Sequence, residues 1–239
     1  MEENVNLEEN TEKQESVDEV IENINEKYKK KRNKRNITIF SIISGLVLAI
    51  SLVVILLSCL KVDLKPNCIE NPTHISAVID GDTKNIYPDD ENYSEFYNKY
   101  LSSFKTSYLT AIFTGSLGNY DIEETSDNFY SQSSTGTGMS TALKNQLGSN
   151  YIHLYYANPQ TLKTADGKDC YSKRDTTKYL LTFYDVYMPV KDKNQIDEIT
   201  FYIGTYWHVK DTENYSNPRL TKITVKGNST ALYNYILDL

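Results

Sequence analysis

Hydrophobic and polar positions follow different rhythms in successive stretches of this chain. Residues 37–60 carry no charge and few polar groups, an unbroken run of 24 positions from Ile37 to Leu60. As a helix this run rises about 36 Å, enough to cross a hydrocarbon core of roughly 30 Å. It predicts a transmembrane helix. Upstream, residues 1–15 are acidic and polar with little to bury, and are expected to be disordered. Val17, Val20, Ile21, Ile24 and Tyr28 then recur at helical spacing among Asp18, Glu19, Glu22 and Glu26. That spacing predicts a short amphipathic helix closing a tail of residues 1–36.

Beyond the apolar run, residues 61–92 hold Pro66, Pro72 and Pro88, the pair Gly81-Asp82 and several acidic groups. They read as an extended connector with at most a brief strand at 74–79. From Tyr93 the rhythm changes to one aromatic every four positions: Phe96, Tyr100, Phe104, Tyr108, then Ile112. A helix of about 20 residues ending at Gly115 is expected. Asp121 and Glu124 form a capping box for a second helix, with Ile122 and Phe129-Tyr130 as its apolar contacts. After a Ser/Thr/Gly-rich loop over 131–138, Ser140 caps a third, short helix using Leu143 and Leu147 and stopped by Gly148. Four strands follow, at 151–157, 178–190, 199–210 and 220–226, rich in β-branched and aromatic residues. Asn228 then caps a last helix through Leu232, Tyr235 and Ile236. The fold class is α+β: a domain over 93–239 with about three helices on a curved four-stranded antiparallel sheet and a C-terminal helix.

Charge orients this layout. Lys27, Lys29, Lys30, Lys31, Arg32, Lys34 and Arg35 precede the apolar run, whereas only Lys61 and Lys65 follow closely. Basic residues concentrate on the cytoplasmic side, so the N-terminus is expected inside the cell and residue 61 onward outside, in a single-pass membrane protein. Two rivals exist. A cleaved signal peptide has an apolar core of about 7–15 residues, shorter than this one. A lipoprotein would use Leu56-Leu57-Ser58-Cys59 as its acylation box, where Leu57 is larger than the residues that position prefers. Residues 61–239 carry 22 acidic against 17 basic groups, which argues against direct nucleic-acid binding. Abundant Asn, Lys, Ile and Tyr with sparse Gly fit an AT-rich genome, most simply a low-GC Gram-positive bacterium.

Candidate chemistry is thin. His74, His153 and His208 are widely spaced and match no metal-binding motif, so no metal or other cofactor is expected. No serine sits in a Gly-x-Ser-x-Gly elbow, and Gly136-Thr-Gly138 lacks the Gly-Lys-Ser of a phosphate loop. Asp185 is a lone carboxylate on a strand, an acid or base without a visible partner. Cys59 lies in the apolar run. Cys68 and Cys170 both fall on the external side, where a disulfide between them could persist. The expectation is a protein without catalytic residues.

The tail, single anchor, helices, curved sheet and C-terminal helix resemble the type IV secretion scaffold family. These are membrane-anchored domains with the nuclear-transport-factor-2-like fold, including the TcpC-like conjugation proteins of Gram-positive bacteria. The aromatic helix from Phe96 to Gly115 and the segment Asn217-Pro218-Arg219-Leu220-Thr221-Lys222-Ile223-Thr224-Val225 carry the likeness. Asn217 and Pro218 match the family's Asn-Pro-x-Gly turn into the last strand, and Leu220 stands where the glycine does. The resemblance implies a non-enzymatic subunit that oligomerises and meets other subunits of a transfer channel, held to membrane lipid through residues 37–60. The competing expectation is an external domain that binds or senses a small ligand in a cavity, with tyrosines, Trp207 and His208 lining it.

Overall fold

No proline and a single glycine, Gly45, interrupt residues 2–59, and one helix, α1 (Glu2–Cys59), runs through all of them. The structure, a computed structural model, describes residues 2–118, 120–133, 136–172, 179–192, 197–208 and 217–239; for residues 2–18, 133, 197 and 208 it describes the backbone alone. The chain divides into two units, Met1–Leu56 and Leu57–Leu239.

The first unit corrects the expected tail. Instead of a disordered stretch and a separate short helix, α1 is continuous from Glu2. Once a helix has nucleated, each added residue costs little, and nothing in this stretch breaks it. Apolar side chains from Ile37 onward point outward in every direction: Phe40, Leu48 and Leu56 are all more than half exposed. Thr38 and Ser51 donate their hydroxyls to Lys34 O (2.9 Å) and Val47 O (2.8 Å), satisfying polar groups within the helix itself. This helix is long and apolar enough to cross a membrane.

The second unit reads, in chain order, β1 (Lys61–Asp63), β2 (His74–Ile79), β3 (Asp82–Ile86), α2 (Tyr93–Ser102), β4 (Lys105–Ser107), α3 (Tyr108–Phe113), β5 (Asp121–Asn128), β6 (Tyr130–Ser133), β7 (Gly136–Met139), α4 (Thr141–Leu147), β8 (Tyr151–Thr161), β9 (Leu180–Pro189), β10 (Asp197–His208), β11 (Arg219–Gly227) and α5 (Thr230–Asp238). The class is α+β, as expected. The expected meander is present as β8 to β11, but the antiparallel sheet has seven strands in the order β3-β2-β8-β9-β10-β11-β5.

Three differences separate the expected layout from this one, and the first two supply the extra strands of the sheet. Residues 61–92 are not a connector: β2 and β3 form a hairpin against β8, burying Ile75, Ala77 and Ile86. Its two-residue turn is Asp80-Gly81, with φ of 51° and 93°, the left-handed pair that suits the twist of a tight hairpin. Residues 121–128 are a strand rather than a capped helix, because β11 offers their backbone a ladder, Asp121 opposite Thr224 to Glu124 opposite Thr221, which shifts register before Asn128 meets Arg219. Residues 131–133 and 136–139 pair as a second hairpin instead of a plain loop.

The long aromatic helix is also divided. Phe96, Tyr100 and Phe104 are fully buried as the four-residue rhythm required, but Ile112 and Phe113 are exposed. Between them, Lys105–Ser107 pairs with β1, and Ser107 accepts the Thr110 amide at 3.0 Å to start α3 afresh. At α4 the reading holds in detail: Ser140 accepts the Leu143 amide, Leu143 and Leu147 are buried, and Gly148 ends the helix at φ 69°.

Alternating residues of the strands feed two cores. Ile152, Phe183, Val186 and Phe201 pack with Phe96, Tyr100 and Phe104 of the α2 region and with Leu232 and Ile236 of α5. On the opposite face Tyr187, Tyr202 and Leu220 meet Phe129 and the α4 leucines. Phe129 is fixed by its amide to Pro218 O (3.1 Å) and its carbonyl to the Ser140 amide (3.0 Å). Its ring covers Gly204 so closely that a Cβ there would lie 2.6 Å away.

Candidate functional site

Strand register gathers polar and aromatic side chains on the face opposite the main core. His153 of β8 stands between Ser76 of β2 and Tyr187 of β9, and Tyr155 between His74 and Asp185. Paired residues of neighbouring strands share a face, so these rows lie together. The His153 ring stacks flat on Tyr187, 4.2 Å between centroids and 6° between planes. His74 lies against Tyr155 (4.9 Å) and Tyr87 (5.5 Å), and 6.4 Å from His153. Tyr184 and Tyr206 meet edge-on at 5.7 Å.

Asp185 is the centre. One carboxylate oxygen accepts the Tyr130 hydroxyl at 2.6 Å, and the other is 2.7 Å from His153 Nε2. The His153 and Asp185 side chains are only 20% and 13% exposed, so water screens this pair weakly. Burial, then the bond to the carboxylate, raises the Tyr130 phenol far above its ordinary range, keeping it a donor. Tyr187 is likewise raised, by burial and then by the Asp185 charge. His74 is shifted the other way: burial and the neighbouring His153 lower it, and Asp185 offsets part of this.

The His74 shift has a sign that can be checked. A histidine held below its unfolded value of about 6.5 favours the neutral form, so its share of stability is full above that pH and is lost as pH falls through the lower folded value. Acidification from pH 7.5 to 5 lowers Tm in the wild type, and His74→Asn flattens that slope. An unchanged slope in the variant contradicts the assignment.

Chemically, the carboxylate fixes the orientation of an imidazole, as in acid–base sites. No hydroxyl or thiol nucleophile among the described residues hydrogen-bonds the His153 ring. Among the described residues, no group of three His, Cys, Asp or Glu is placed to hold a metal ion. What this face offers is phenol hydroxyls and aromatic rings, with Tyr87 45% exposed and Tyr151, Tyr155, Tyr184 and Tyr206 half-buried. Among the clefts bordered by described residues, two lie on other parts of the domain. One of about 750 Å³ is bordered by Tyr120, Asp121, Glu123, Glu124 and Cys170; another of about 370 Å³ is lined by polar groups including Gln146, Asn150 and Lys191.

The residues singled out in the sequence fare differently. Asp185, His153 and His74 come together, and Asp185 gains the partners it lacked. Tyr130, read as an apolar contact of a helix, is one of them; the only local hint was its place beside Phe129 before a Ser-rich stretch. Trp207 packs toward the main core and stacks on Tyr179 (6.2 Å, 3°) instead of joining this face. The His208 side chain lies outside the described residues. Asn217 and Pro218 stand directly before β11, and residues 214–216 of the expected turn lie outside the described set. Cys68 and Cys170 are buried in the same core and are not joined in a disulfide, while Cys59 is exposed at the end of α1.

Fold and site define a class: an α+β domain with a tyrosine–histidine sheet face, following an apolar helix in the chain. Comparison with protein-family models, with curated proteins and with solved structures finds no match.

Proposed function

We propose that the protein is a single-pass membrane protein, N-terminus in the cytosol, whose external domain is a non-enzymatic assembly subunit. The apolar α1 and the basic residues before Ile37 support the topology. The observation that carries the assembly role is the sheet face around Asp185, where five half-exposed or exposed tyrosines and two histidines share one surface. Tyrosine gives an interface large area with a polar tip at small entropic cost, and it is enriched at binding hot spots. The host assembly we favour is a conjugation or type IV secretion channel, in which the domain meets copies of itself and other subunits. Normal element transfer after deletion of the gene would refute that host process. Protease shaving of intact cells checks the topology: it should remove the domain and spare residues 1–36.

A Tyr87→Ala, Tyr155→Ala double variant tests the interface directly. Because Tyr87 is exposed and Tyr155 is only half-buried, Tm should fall by a few degrees at most. Recovery of partner subunits by co-purification should drop about tenfold or more. Undiminished recovery from a folded variant contradicts the role of this face. A second reading, small-ligand binding, rests on the cleft beside Tyr120 and Cys170. A metabolite or wall fragment that raises Tm at saturation, and loses that effect in Glu124→Ala, would favour it.

A further inference from the structure

The short helix α3 turns its most apolar side chains outward. Ala111 is fully buried, whereas Phe113 is 82% exposed and Ile112 46% exposed. Residues three and four apart share a helix face, so half-buried Leu109 lies on the same side as Ile112 and Phe113. A single exposed hydrophobic residue needs no explanation, but a contiguous set marks a surface that meets lipid or protein. No charged residue stands between Lys105 and Asp121. The polar groups of the element are satisfied within it. The Ser107 hydroxyl accepts the Thr110 amide at 3.0 Å and lies 2.7 Å from the Thr110 hydroxyl. Thr114 donates its hydroxyl to Thr110 O at 2.9 Å and pairs with the Ser116 hydroxyl at 2.6 Å. The Gly115 and Ser116 amides close on Ile112 O (3.1 Å) and Ala111 O (2.9 Å). Such closure suits a surface facing hydrocarbon, because lipid offers no partner to an open N–H, O–H or C=O.

Backbone pairing decides which of the two this face meets. β1 pairs with β4, Lys61 opposite Ser107, and the Tyr108 amide donates to Leu60 O at 2.8 Å. Leu60, itself 49% exposed, is the last residue of the apolar run 37–60. The start of α3 is therefore bonded to the point where that run ends. From Tyr108 to Phe113 the helix advances only about 8 Å, so its whole apolar face stays near Leu60.

We propose that α3 is a second membrane contact, with Leu109, Ile112 and Phe113 dipping into the boundary between headgroups and acyl chains of the bilayer that residues 37–60 cross. The inference rests on α1 being the membrane anchor, and it holds whichever side of the membrane the domain occupies. Apolar side chains of an interfacial helix sink about 5–10 Å into that boundary, a depth matched to the reach of α3 from Leu60. Tyr108, at the start of the helix, is the kind of aromatic residue that collects at headgroup level.

The test uses the full-length protein reconstituted into phosphatidylcholine vesicles whose acyl chains carry bromine close to the headgroup, a quencher that acts only at short range. Trp207, packed toward the main core, supplies the baseline emission. Phe113→Trp is expected to add emission that is shifted to the blue and quenched by the brominated lipid. Phe40→Trp, near the other end of the apolar run, reports on the anchor and should be quenched to a similar extent. Because Phe113 is exposed, its replacement should leave Tm within about 2 °C of the wild type, so unfolding does not confuse the reading. Quenching at Phe40→Trp without quenching at Phe113→Trp overturns the α3 contact while the anchor stands, and it leaves this face to a protein partner. An unquenched Phe40→Trp overturns the anchor and the α3 contact together.

Discussion

Gly227→Ala should destabilise the α+β domain by about 3 kcal/mol and lower its Tm by roughly 5–10 °C. A Cβ at Gly227 would sit 2.6 Å from the Ser103 carbonyl oxygen and 2.6 Å from Ile199 Cδ1. The carbonyl cannot retreat cheaply. It belongs to the residue that ends α2 and accepts the Asn228 amide at 2.7 Å, just ahead of α5. That contact joins the end of the last strand to the end of the first helix of the domain, beside fully buried Phe104. The added methyl must therefore separate α2 from β11 or push Ile199 out of its rotamer. Gly45→Ala is the control, because nothing lies within 4 Å of a Cβ there. Equal Tm values for Gly227→Ala and the wild type, read by circular dichroism, would show that this crossing is looser than described.

Asp185→Ala should cost about 2–4 kcal/mol, more than either of its partners. Removing the carboxylate orphans the Tyr130 hydroxyl and leaves the His153 ring, stacked on Tyr187, without its acceptor. Stranding a buried donor is more expensive than deleting both members of a pair. Tyr130→Phe removes one bond and should cost about 1 kcal/mol. Asp185→Asn keeps an acceptor for Tyr130 and falls between the two. In the double variant Asp185→Ala, Tyr130→Phe, part of the loss should return, because the orphaned hydroxyl is gone. The coupling from that double-mutant cycle is the decisive reading. Strict additivity would mean that the two side chains do not communicate. Since β6 carries Tyr130 and β9 carries Asp185, the same bond ties the β6–β7 hairpin to the sheet. Hydrogen exchange should therefore accelerate in the hairpin of Asp185→Ala.

Much of the domain could be read locally. The four meander strands declare themselves through runs of β-branched and aromatic residues, such as Ile199 to Tyr206. Helix α4 is written in Ser140, Leu143, Leu147 and Gly148, and the apolar length of residues 37–60 marks a helix fit to cross a membrane. One missed hairpin was also local: Asp80-Gly81 between alternating apolar residues is a strong turn signal, and the prolines around it masked it. The site was less legible. Tyr151, His153 and Tyr155 visibly share a strand face, and so do Asp185 and Tyr187, but nothing near either run says that these two faces are adjacent.

What the chain determined by itself is whatever depends on neighbours within about four residues: caps, tight turns, strand alternation and the long apolar helix. Tertiary structure alone decided the fate of residues 121–128, whose capping-box spacing gave way to a ladder along β11. It alone divided the aromatic helix at Lys105–Ser107, where pairing with β1 outweighed weak helix propensity. And it alone placed Tyr130, His153 and Asp185 within hydrogen-bond reach. The reason is energetic: propensities amount to tenths of a kcal/mol per residue, whereas a paired strand or a satisfied buried carboxylate amounts to several, and its partners lie far away in sequence.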